Sequence, residues 1–382
     1  RRPVGQKQYL ARRGHVDCPG TFHVVAEVLL HGHDRKEQRR IEGIAREIYN
    51  PLRKCHRIAK LTKYSYICND MPGDSPKISV VIPLYNKSAS IARAVGSVLG
   101  QTTLPLEVII VDDGSTDGSG DIADRLAAGS GLIRVIHQQN AGVSAARNRA
   151  IAEARGEYVA LLDGDDAWHD GYLAEICRLI GKYPGCGAYS TGFYICDGRQ
   201  RVEADTPRTE GIVDFFAESL RRYVLIPSAA TLRRETVLAA GGFPVGMRMG
   251  EDQYLWTKMA RMAKVCFSPV PLADYSRTAE NRSATIFRAE DTPCSFEDLY
   301  DPDAHDDSNE YIARVALGKA LVQSAKGGTA EARRAIKAFG YTRRNRRALL
   351  KLKVLNSLPV GWRQPLLNLY NRAAWILARK GL

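Results

Sequence analysis

The residues best suited to chemistry in this sequence are the aspartates of segment 163–166, which reads Asp-Gly-Asp-Asp. The segment directly follows an apolar run over residues 158–162, so a buried strand is predicted to end on a cluster of carboxylates. Asp163 and Asp165 stand one residue apart, and such oxygen ligands can hold Mg²⁺ or Mn²⁺ against a substrate diphosphate. Ligands of open α/β sheets bind where strands end, so this position suits a metal-assisted anion site.

The first predicted strand also ends on residues that could contact a substrate. Residues 78–82 form a continuous β-branched run, as expected for a strand that is buried on both faces. Pro83, Tyr85 and Asn86 follow it; the proline restricts the exit angle, and the tyrosine could stack on a flat ring.

A second strand end and a helix start add groups that suit a nucleotide. Residues 108–111 form another apolar run that ends in Asp112 and Asp113, whose carboxylates can accept hydrogen bonds from a base or from ribose hydroxyls. Residues 140–148 open a predicted helix whose N-terminal amides favour anions, and Arg147 could contact phosphate. Each feature alone is more often a turn or a cap, but together at one sheet edge they predict a nucleotide pocket.

The elements around these residues alternate between strand and helix, which predicts a parallel sheet with right-handed crossovers. The predicted strands are 78–82, 108–111, 132–136 and 158–162, and the predicted helices are 88–99, 117–127 and 143–154. Further along, we expect helices over 173–182, 231–240 and 254–262, a strand over 188–195, and helices from residue 311 onward. The fold class is therefore α/β. The chain carries neither G-x-G-x-x-G after the first strand nor a P-loop motif, which disfavours dinucleotide and P-loop chemistry.

The net charge of +13 is unevenly distributed over three predicted regions of the 382-residue chain. Residues 1–76, an N-terminal helical extension and linker, carry a net charge of +7. Residues 77–290 hold the α/β domain, and the stretch 77–310 has a net charge of −9. Residues 291–382 form a basic helical C-terminal region, and from residue 311 onward the net charge is +15. An acidic catalytic unit with anion-seeking extensions is expected.

The cysteines and the hydropathy indicate a cytoplasmic protein. The eight cysteines are scattered without a C-x-x-C pair, which favours free thiols. The sequence has no apolar run that approaches the roughly 18–20 residues needed to span a bilayer, and no apolar segment typical of a signal peptide follows its first residues.

Six motifs in order resemble those of the family 2 glycosyltransferases of the GT-A fold, including bacterial enzymes that build surface polysaccharides. The resemblance covers residues 77 to about 283. The motifs are Val-Ile-Pro-Leu-Tyr-Asn (81–86), Val-Asp-Asp-Gly-Ser-Thr-Asp (111–117), Ala-Gly-Val-Ser-Ala-Ala-Arg-Asn (141–148), Leu-Asp-Gly-Asp-Asp (162–166), Gly-Gly-Phe (241–243) and Gly-Glu-Asp (250–252). The resemblance implies a Rossmann-like, mostly parallel sheet flanked by helices, a nucleotide-diphosphate-sugar donor and inversion at the anomeric carbon.

The resemblance also implies roles for residues on the donor side. Pro83, Tyr85 and Asp113 would hold the nucleobase, with Asp112 and Asn86 nearby. The acidic segment, including Gly164, would face the ribose or the sugar through Asp163. Asp165 would ligate the Mg²⁺ or Mn²⁺ ion that bridges the two phosphates.

Inversion requires a base that deprotonates an acceptor hydroxyl, and the resemblance places it at Glu251 and Asp252. Asp252 is the predicted base, and Glu251 would position it or the acceptor. Read without the resemblance, the pair is an acidic first turn that favours the dipole of the following helix.

The chain departs from the family pattern after the last core strand. Many relatives carry a histidine there that contributes to the metal site, but residues 274–283 contain none. Metal ligation from this loop therefore stays an open question, and Arg277 or Arg282 could contact phosphate instead.

The C-terminal region combines cations with apolar residues at helical spacing. Residues 343–353 mix arginine and lysine with leucine, and a further apolar series follows at Leu366, Leu369, Tyr370, Ala373, Trp375, Ile376 and Leu377. Basic amphipathic helices with aromatic residues can lie in an anionic membrane interface, so we expect peripheral membrane contact, or else a packed helix with a solvated basic face. No nucleic-acid module is recognised, and no nucleic-acid partner is expected.

The function predicted from these features is metal-dependent transfer of a sugar, most simply from a UDP-sugar, to a saccharide or lipid-linked acceptor. Two alternatives stay open. A sugar-phosphate nucleotidyltransferase shares a similar nucleotide half, but it usually carries a Gly-rich Arg-Lys loop where residues 85–88 here read Tyr-Asn-Lys-Ser. A non-catalytic nucleotide-sugar-binding subunit would not need an intact Asp165 and Asp252.

Overall fold

The computed structural model describes residues 76–198, 200–247, 249–278, 295–301, 303 and 306–379. The strands are β1 (Ile78–Leu84), β2 (Glu107–Asp112), β3 (Ile133–His137), β4 (Tyr158–Leu161), β5 (Ala167–Trp168), β6 (Ala188–Asp197), β7 (Gln200–Glu203), β8 (Gly211–Val213), β9 (Ala230–Arg233) and β10 (Val265–Ser276). The helices are α1 (Ile91–Leu99), α2 (Ser119–Ala128), α3 (Val143–Glu153), α4 (Tyr172–Lys182), α5 (Phe215–Ser219), α6 (Arg234–Ala239), α7 (Glu251–Met262), α8 (Asp306–Ala325), α9 (Thr329–Ala338), α10 (Arg346–Ser357) and α11 (Val360–Arg379). The predicted α/β architecture and the helical C-terminal region are confirmed, whereas the predicted N-terminal extension lies outside the described residues.

The first four strands form the parallel half of the sheet, in the order β3-β2-β1-β4. All six residues of β2 and all four of β4 are buried, as their continuous apolar runs predict for strands covered on both faces. The register pairs Leu84 with Asp112 and Val81 with Leu161. The carboxyl ends of these strands therefore meet at one edge, where the predicted site residues follow.

The second half of the sheet is mixed, and one sequence-based prediction is wrong there. The sheet continues from β4 through β9, β6 and β10 to β5, and β9 runs antiparallel to both of its neighbours. Residues 231–240 were predicted as one helix, but Thr231 and Leu232 belong to β9, and α6 begins only at Arg234. The segment fills the gap between β4 and β6, and a short apolar run does not by itself distinguish strand from helix.

The buried carboxylate of Glu107 connects the strands of the parallel half at their amino ends, away from the site. Glu107 accepts hydrogen bonds from the Ser79 hydroxyl at 2.8 Å and from the Arg155 backbone N–H at 2.8 Å. The Ser79 oxygen in turn accepts from the Gly156 N–H at 2.9 Å. Because β1, β2 and the turn before β4 share this network, their relative register is held at the edge away from the site.

The C-terminal helices pack on the α/β domain and on one another. Ile312, Leu317, Phe339 and Leu352 belong to a core of their own. Tyr311 of α8 packs its ring 5.3 Å from the ring of Phe215, at the first turn of α5. No described helix combines the length and the apolar character that crossing a bilayer requires.

Replacing Gly156 by alanine should destabilise the protein by more than about 2 kcal/mol, because the new Cβ would lie 2.6 Å from the Ser79 backbone nitrogen. Gly131→Ala is the matched control, since a Cβ there meets nothing within 4 Å. Urea unfolding of both variants measures the free energies. Equal stabilities would contradict the tight packing at this edge.

Candidate active site

Asp166 is the most buried aspartate of the acidic segment after β4, and its hydrogen bonds hold the segment in place. The Asp166 carboxylate accepts a hydrogen bond from the Ser228 hydroxyl at 2.5 Å and one from the Ser276 N–H at 2.7 Å. Ser228 also accepts from the Asp163 N–H at 3.1 Å. Burial, reinforced by the charges of Asp165 and Asp163, raises the pKa of Asp166 well above its usual range. Asp166 is therefore a structural residue that shapes the segment.

Asp165, in the same segment, is partly exposed. Its carboxylate forms an ion pair with the Lys87 ammonium at 2.7 Å, and its carbonyl oxygen accepts from Arg93 at 2.5 Å. The neighbouring Gly164 is buried, and its carbonyl accepts from the Ser90 hydroxyl at 2.8 Å. The segment is thus bound to the start of α1, to the turn before β9 and to β10.

The donor set suits a divalent cation that shares its ligands with a substrate. Within the described ranges, no three histidine, cysteine or acidic side chains are grouped to enclose a metal ion. Mg²⁺ is commonly held by one or two carboxylates together with substrate phosphates and water. Asp165 already faces a cation, the Lys87 ammonium, so its carboxylate fits that kind of site, with Asp163 two residues away.

The aspartates that end β2 organise the adjoining loops. Asp113 is 2% exposed, and its carboxylate accepts from the backbone N–H groups of Ala141 and Gly142, both at 2.8 Å. Asp112 lies 3.0 Å from the ring of His137, which raises the pKa of that histidine. Both aspartates lie at the predicted edge, and both hold neighbouring backbone or side chains in place.

The loop after β1 is joined to the loop after β2. Asn86 has a left-handed backbone, with φ of 50°, and its side-chain oxygen accepts from the Thr116 N–H at 2.8 Å. The Asn86 N–H donates to the Ser115 hydroxyl at 3.1 Å. Pro83 is the penultimate residue of β1, and Tyr85 is 39% exposed. The structure therefore leaves a tyrosine ring accessible beside the carboxyl edge.

Arg147 joins the acidic segment to α7. Its guanidinium is buried, with Nη2 2.7 Å from Asp163 and Nη1 3.4 Å from Glu251. It lies 5.1 Å from the centre of the Phe243 ring. Burial opposes the charge, but the two carboxylates raise the pKa of Arg147 above its usual value. Arg147 therefore bridges two carboxylates, and its contact with phosphate stays a prediction.

The next residue of α3, Asn148, anchors the Gly-Gly-Phe turn. Its side-chain nitrogen donates to the Phe243 carbonyl at 2.7 Å, and its oxygen accepts from the Phe243 N–H at 2.8 Å. Gly242 has φ of 71°, and a Cβ there would lie 2.6 Å from the Asn148 oxygen. Two motifs that are about 95 residues apart are thus parts of one packed unit.

The acidic pair predicted to hold the base forms the first turn of α7, three residues earlier than the helix was expected to begin. Glu251 is 8% exposed, and burial, together with the Asp252 charge, raises its pKa to about 7. Asp252 is more exposed, accepts from the Gln253 N–H at 2.8 Å, and has a pKa raised by burial. Two neighbouring carboxyl groups therefore differ in access to solvent.

The stretch that lacks the family histidine is described as far as Thr278, and Arg282 lies outside the described residues. Asp274 is part of β10, where it contacts His169 at 3.2 Å and Arg201 at 2.8 Å. Although burial opposes it, hydrogen bonds from these two side chains hold the pKa of Asp274 below its usual value.

Sequence reasoning missed three residues that build the site: Ser228, Lys87 and Asn148. Ser228 lies in a short 3₁₀ turn, Pro227–Ala229, where no local pattern marks it. Lys87 directly follows the 81–86 motif and Asn148 ends the 141–148 motif. Their partners lie 78 and 95 residues away in the chain, so local sequence does not reveal these contacts.

Comparison with known proteins connects this geometry to one family. Residues 79–238 match the model of Glycosyl transferase family 2. The chain is 45% identical over 233 residues to the glycosyltransferase GlyG of Streptococcus pneumoniae, an alignment covering 56% of this chain and 74% of that protein. It is also 46% identical over 91 residues to EpsJ of Bacillus subtilis, described as an uncharacterized glycosyltransferase, which covers 24% of this chain and 26% of that protein. The aligned parts span 26%, 37% and 28% of the lengths of EpsJ, of EpsH from the same organism and of YibD from Escherichia coli.

The fold is shared with a solved structure of low sequence identity. Residues 1–349 of Staphylococcus aureus TarS, in complex with UDP-GlcNAc, match with a TM-score of 0.51 and 20% identity, covering 78% of this chain and 87% of that one. The expected GT-A fold is thereby confirmed.

Replacing Arg147 by methionine should cost about 3–5 kcal/mol of stability, because Asp163 and Glu251 would both lose the buried cation that pairs with them. The control is Arg149→Met on the same helix, whose side chain is 53% exposed. Adding Glu251→Gln to Arg147→Met should recover part of the loss. Denaturant unfolding measures all three, and equal losses for the two single variants would contradict the bridge.

Glu251 should make stability depend on pH. Its folded pKa of about 7 lies above the usual glutamate value of 4.5, so the folded protein keeps a proton that the unfolded chain has released. Stability present below pH 4.5 is therefore lost as the pH rises through 7.

Glutamine cannot titrate, so the free energy of unfolding of Glu251→Gln should rise relative to that of the wild type as the pH increases over that range. The expected rise is about 3 kcal/mol. Unfolding of both proteins at a series of pH values measures the difference, and Glu235→Gln, an 81% exposed side chain, is the control. A difference independent of pH would show that folding does not shift the pKa of Glu251.

Proposed function

This chain belongs to glycosyltransferase family 2, and we propose that it transfers a sugar from a nucleotide-diphosphate sugar to a saccharide or lipid-linked saccharide, with inversion at the anomeric carbon. The observation that carries the proposal is the buried bridge of Arg147 between Asp163 and Glu251. It brings the acidic segment at the sheet edge beside the acidic pair of α7. A transferase that acts by inversion needs one group for the donor and a separate base for the acceptor.

We propose that the donor is a UDP-sugar held at the loops after β1 and β2. The exposed ring of Tyr85 can stack on the base, and Pro83 and Asn86 shape the loop that carries it. Asp112 and Asp113 lie beneath and hold the neighbouring loop in position. The S. aureus protein of the same fold was solved with UDP-GlcNAc, which supports a uridine donor.

We propose that Asp165, with Asp163 nearby, holds Mg²⁺ or Mn²⁺. Such a cation would offset the charge that develops on the departing diphosphate. Lys87, whose ammonium lies 2.7 Å from Asp165, is placed near the same developing charge. Gly164 keeps the segment between the two aspartates close to the start of α1 through its carbonyl.

We propose Asp252 as the base. It is the less buried of the acidic pair, and its raised pKa makes it a stronger base than an ordinary aspartate. Its carboxylate would take the proton of the acceptor hydroxyl as that oxygen bonds to the anomeric carbon, while the bond from that carbon to the diphosphate breaks. Glu251, held by Arg147, would position Asp252.

We propose a cytoplasmic location at a membrane face, with a role in polysaccharide or glycan synthesis. The described cysteines are free thiols, as is usual in a reducing compartment. A lipid-linked acceptor would place the reaction at such a surface.

Asp252→Asn should lower turnover by at least about 100-fold while leaving donor binding intact, because a general base typically contributes this much. Asp165→Asn should instead lose the Mn²⁺-dependent part of nucleotide binding. Release of UDP from a panel of UDP-sugars with saccharide acceptors measures turnover, and the melting temperature with UDP, with and without Mn²⁺, measures binding. Asp170→Asn, an exposed acid just beyond the segment, is the control. Full activity of Asp252→Asn would exclude it as the base, and no thermal shift with any nucleotide would overturn the donor site.

A further inference from the structure

The hairpin of α10 and α11 presents apolar side chains to solvent. Trp362 is 73% exposed, Leu369 65% and Leu350 63%. We call the set the apolar strip; it consists of Leu350, Val354, Trp362, Leu366, Leu369 and Tyr370. Scattered exposed apolar residues are ordinary, but a series on one helical hairpin marks an interaction surface.

The strip is continuous across the two helices. Trp362, Leu366 and Leu369 recur at the i, i+4 and i+7 spacing that places residues on one face of α11. Tyr370 lies beside α10, because the Lys351 ammonium is 3.5 Å from the centre of its ring. The side chains of residues 371–379, where the predicted series continues, lie outside the described part.

The hairpin is built so that this face points outward. Leu349, Leu352 and Leu355 bury the opposite face of α10. Arg363 is 4% exposed and anchors the first turn of α11: its guanidinium donates to the Asn356 carbonyl at 2.9 Å and to the Thr329 hydroxyl at 3.0 Å. The strip is therefore present before any partner binds, and little ordering would be needed on contact.

The charge of the hairpin selects the partner. Residues 343–379 contain nine lysines and arginines and no acidic residue. Arg346, Arg347 and Lys353 are exposed on α10, the helix that also carries Leu350 and Val354. A second copy of the chain would bring a surface of the same sign, and a nucleic acid would leave the aliphatic part of the strip against polar phosphates. An anionic bilayer satisfies both properties, because the apolar side chains enter the interface while the cations meet lipid headgroups.

We propose that the apolar strip and its flanking cations form a docking surface for an anionic lipid bilayer. Juxtamembrane cations contribute about fivefold in affinity each at low salt, and the apolar face adds affinity that salt does not screen. Binding to vesicles requires no turnover, so this proposal can fail while the sugar-transfer proposal holds, and the reverse.

The test is co-sedimentation of the full chain with vesicles of phosphatidylcholine, alone or mixed with phosphatidylglycerol. We expect binding to the mixed vesicles only, weakened by salt. Trp362→Ser combined with Leu366→Ser and Leu369→Ser should reduce binding at least about tenfold. Arg346→Gln combined with Arg347→Gln and Lys353→Gln should reduce it by roughly 100-fold.

The controls make the same kinds of substitution on the α/β domain. Leu104→Ser with Leu238→Ser alters exposed apolar residues there, and Arg125→Gln with Arg149→Gln and Arg208→Gln removes three exposed cations. Both controls should bind mixed vesicles like the wild type, and unchanged melting temperatures of the strip variants would show that they are folded.

Several results would overturn the proposal. Equal binding to neutral vesicles would exclude selection by charge, and full binding by both strip variants would place the contact elsewhere in the chain. A dimer in light scattering that the Trp362 variant abolishes, without vesicle binding by the wild type, would make the strip an interface between copies.

Discussion

A single buried cation, the guanidinium of Arg147, is the interaction on which the site depends. It lies between Asp163 and Glu251, which are 16 and 104 residues away along the chain. A carboxylate taken out of water without a partner is strongly destabilised, so Glu251 could not be buried here as an anion alone. Asn148, the next residue, fastens the 241–243 turn through both atoms of its amide. Helix α3 therefore determines how the donor half and the α7 half approach each other.

The mixed half of the sheet completes the site that the parallel half begins. Parallel strands deliver loops to one edge but do not support the acidic segment from beneath. Ser228, just before β9, and Ser276, at the end of β10, supply the two hydrogen bonds that hold Asp166. Because β9 pairs with β4 and β6, the position of that strand also places Ser228 beside the acidic segment. The antiparallel pairing is thus a requirement of the site as well as of the sheet.

Local patterns predicted the parallel strands, the helices between them and the edge where the site lies, because strands buried on both faces require continuous apolar runs. They failed where a long-range partner decides the outcome. They did not contain the contact of Arg147 with Glu251, because the two residues are 104 positions apart in the chain. The sequence of residues 231–233 is compatible with helix or strand, and the open position between β4 and β6 selects the strand. Glu251 and Asp252 were recognised as a pair, but their different burial follows from packing against α3, which no local pattern contains.

The acidic segment shows how one residue type takes three roles through its partners. Asp166 is bound by a hydroxyl and a backbone amide in the interior, so it cannot leave without disrupting two strands. Asp163 is paired with Arg147, whose guanidinium is buried and also paired with Glu251. Asp165 alone pairs with a lysine, and a lysine side chain is long, flexible and well solvated when it swings away. Exchange of one cation for another is therefore least costly at Asp165, which is the physical reason to expect a metal ion at that carboxylate rather than at its neighbours.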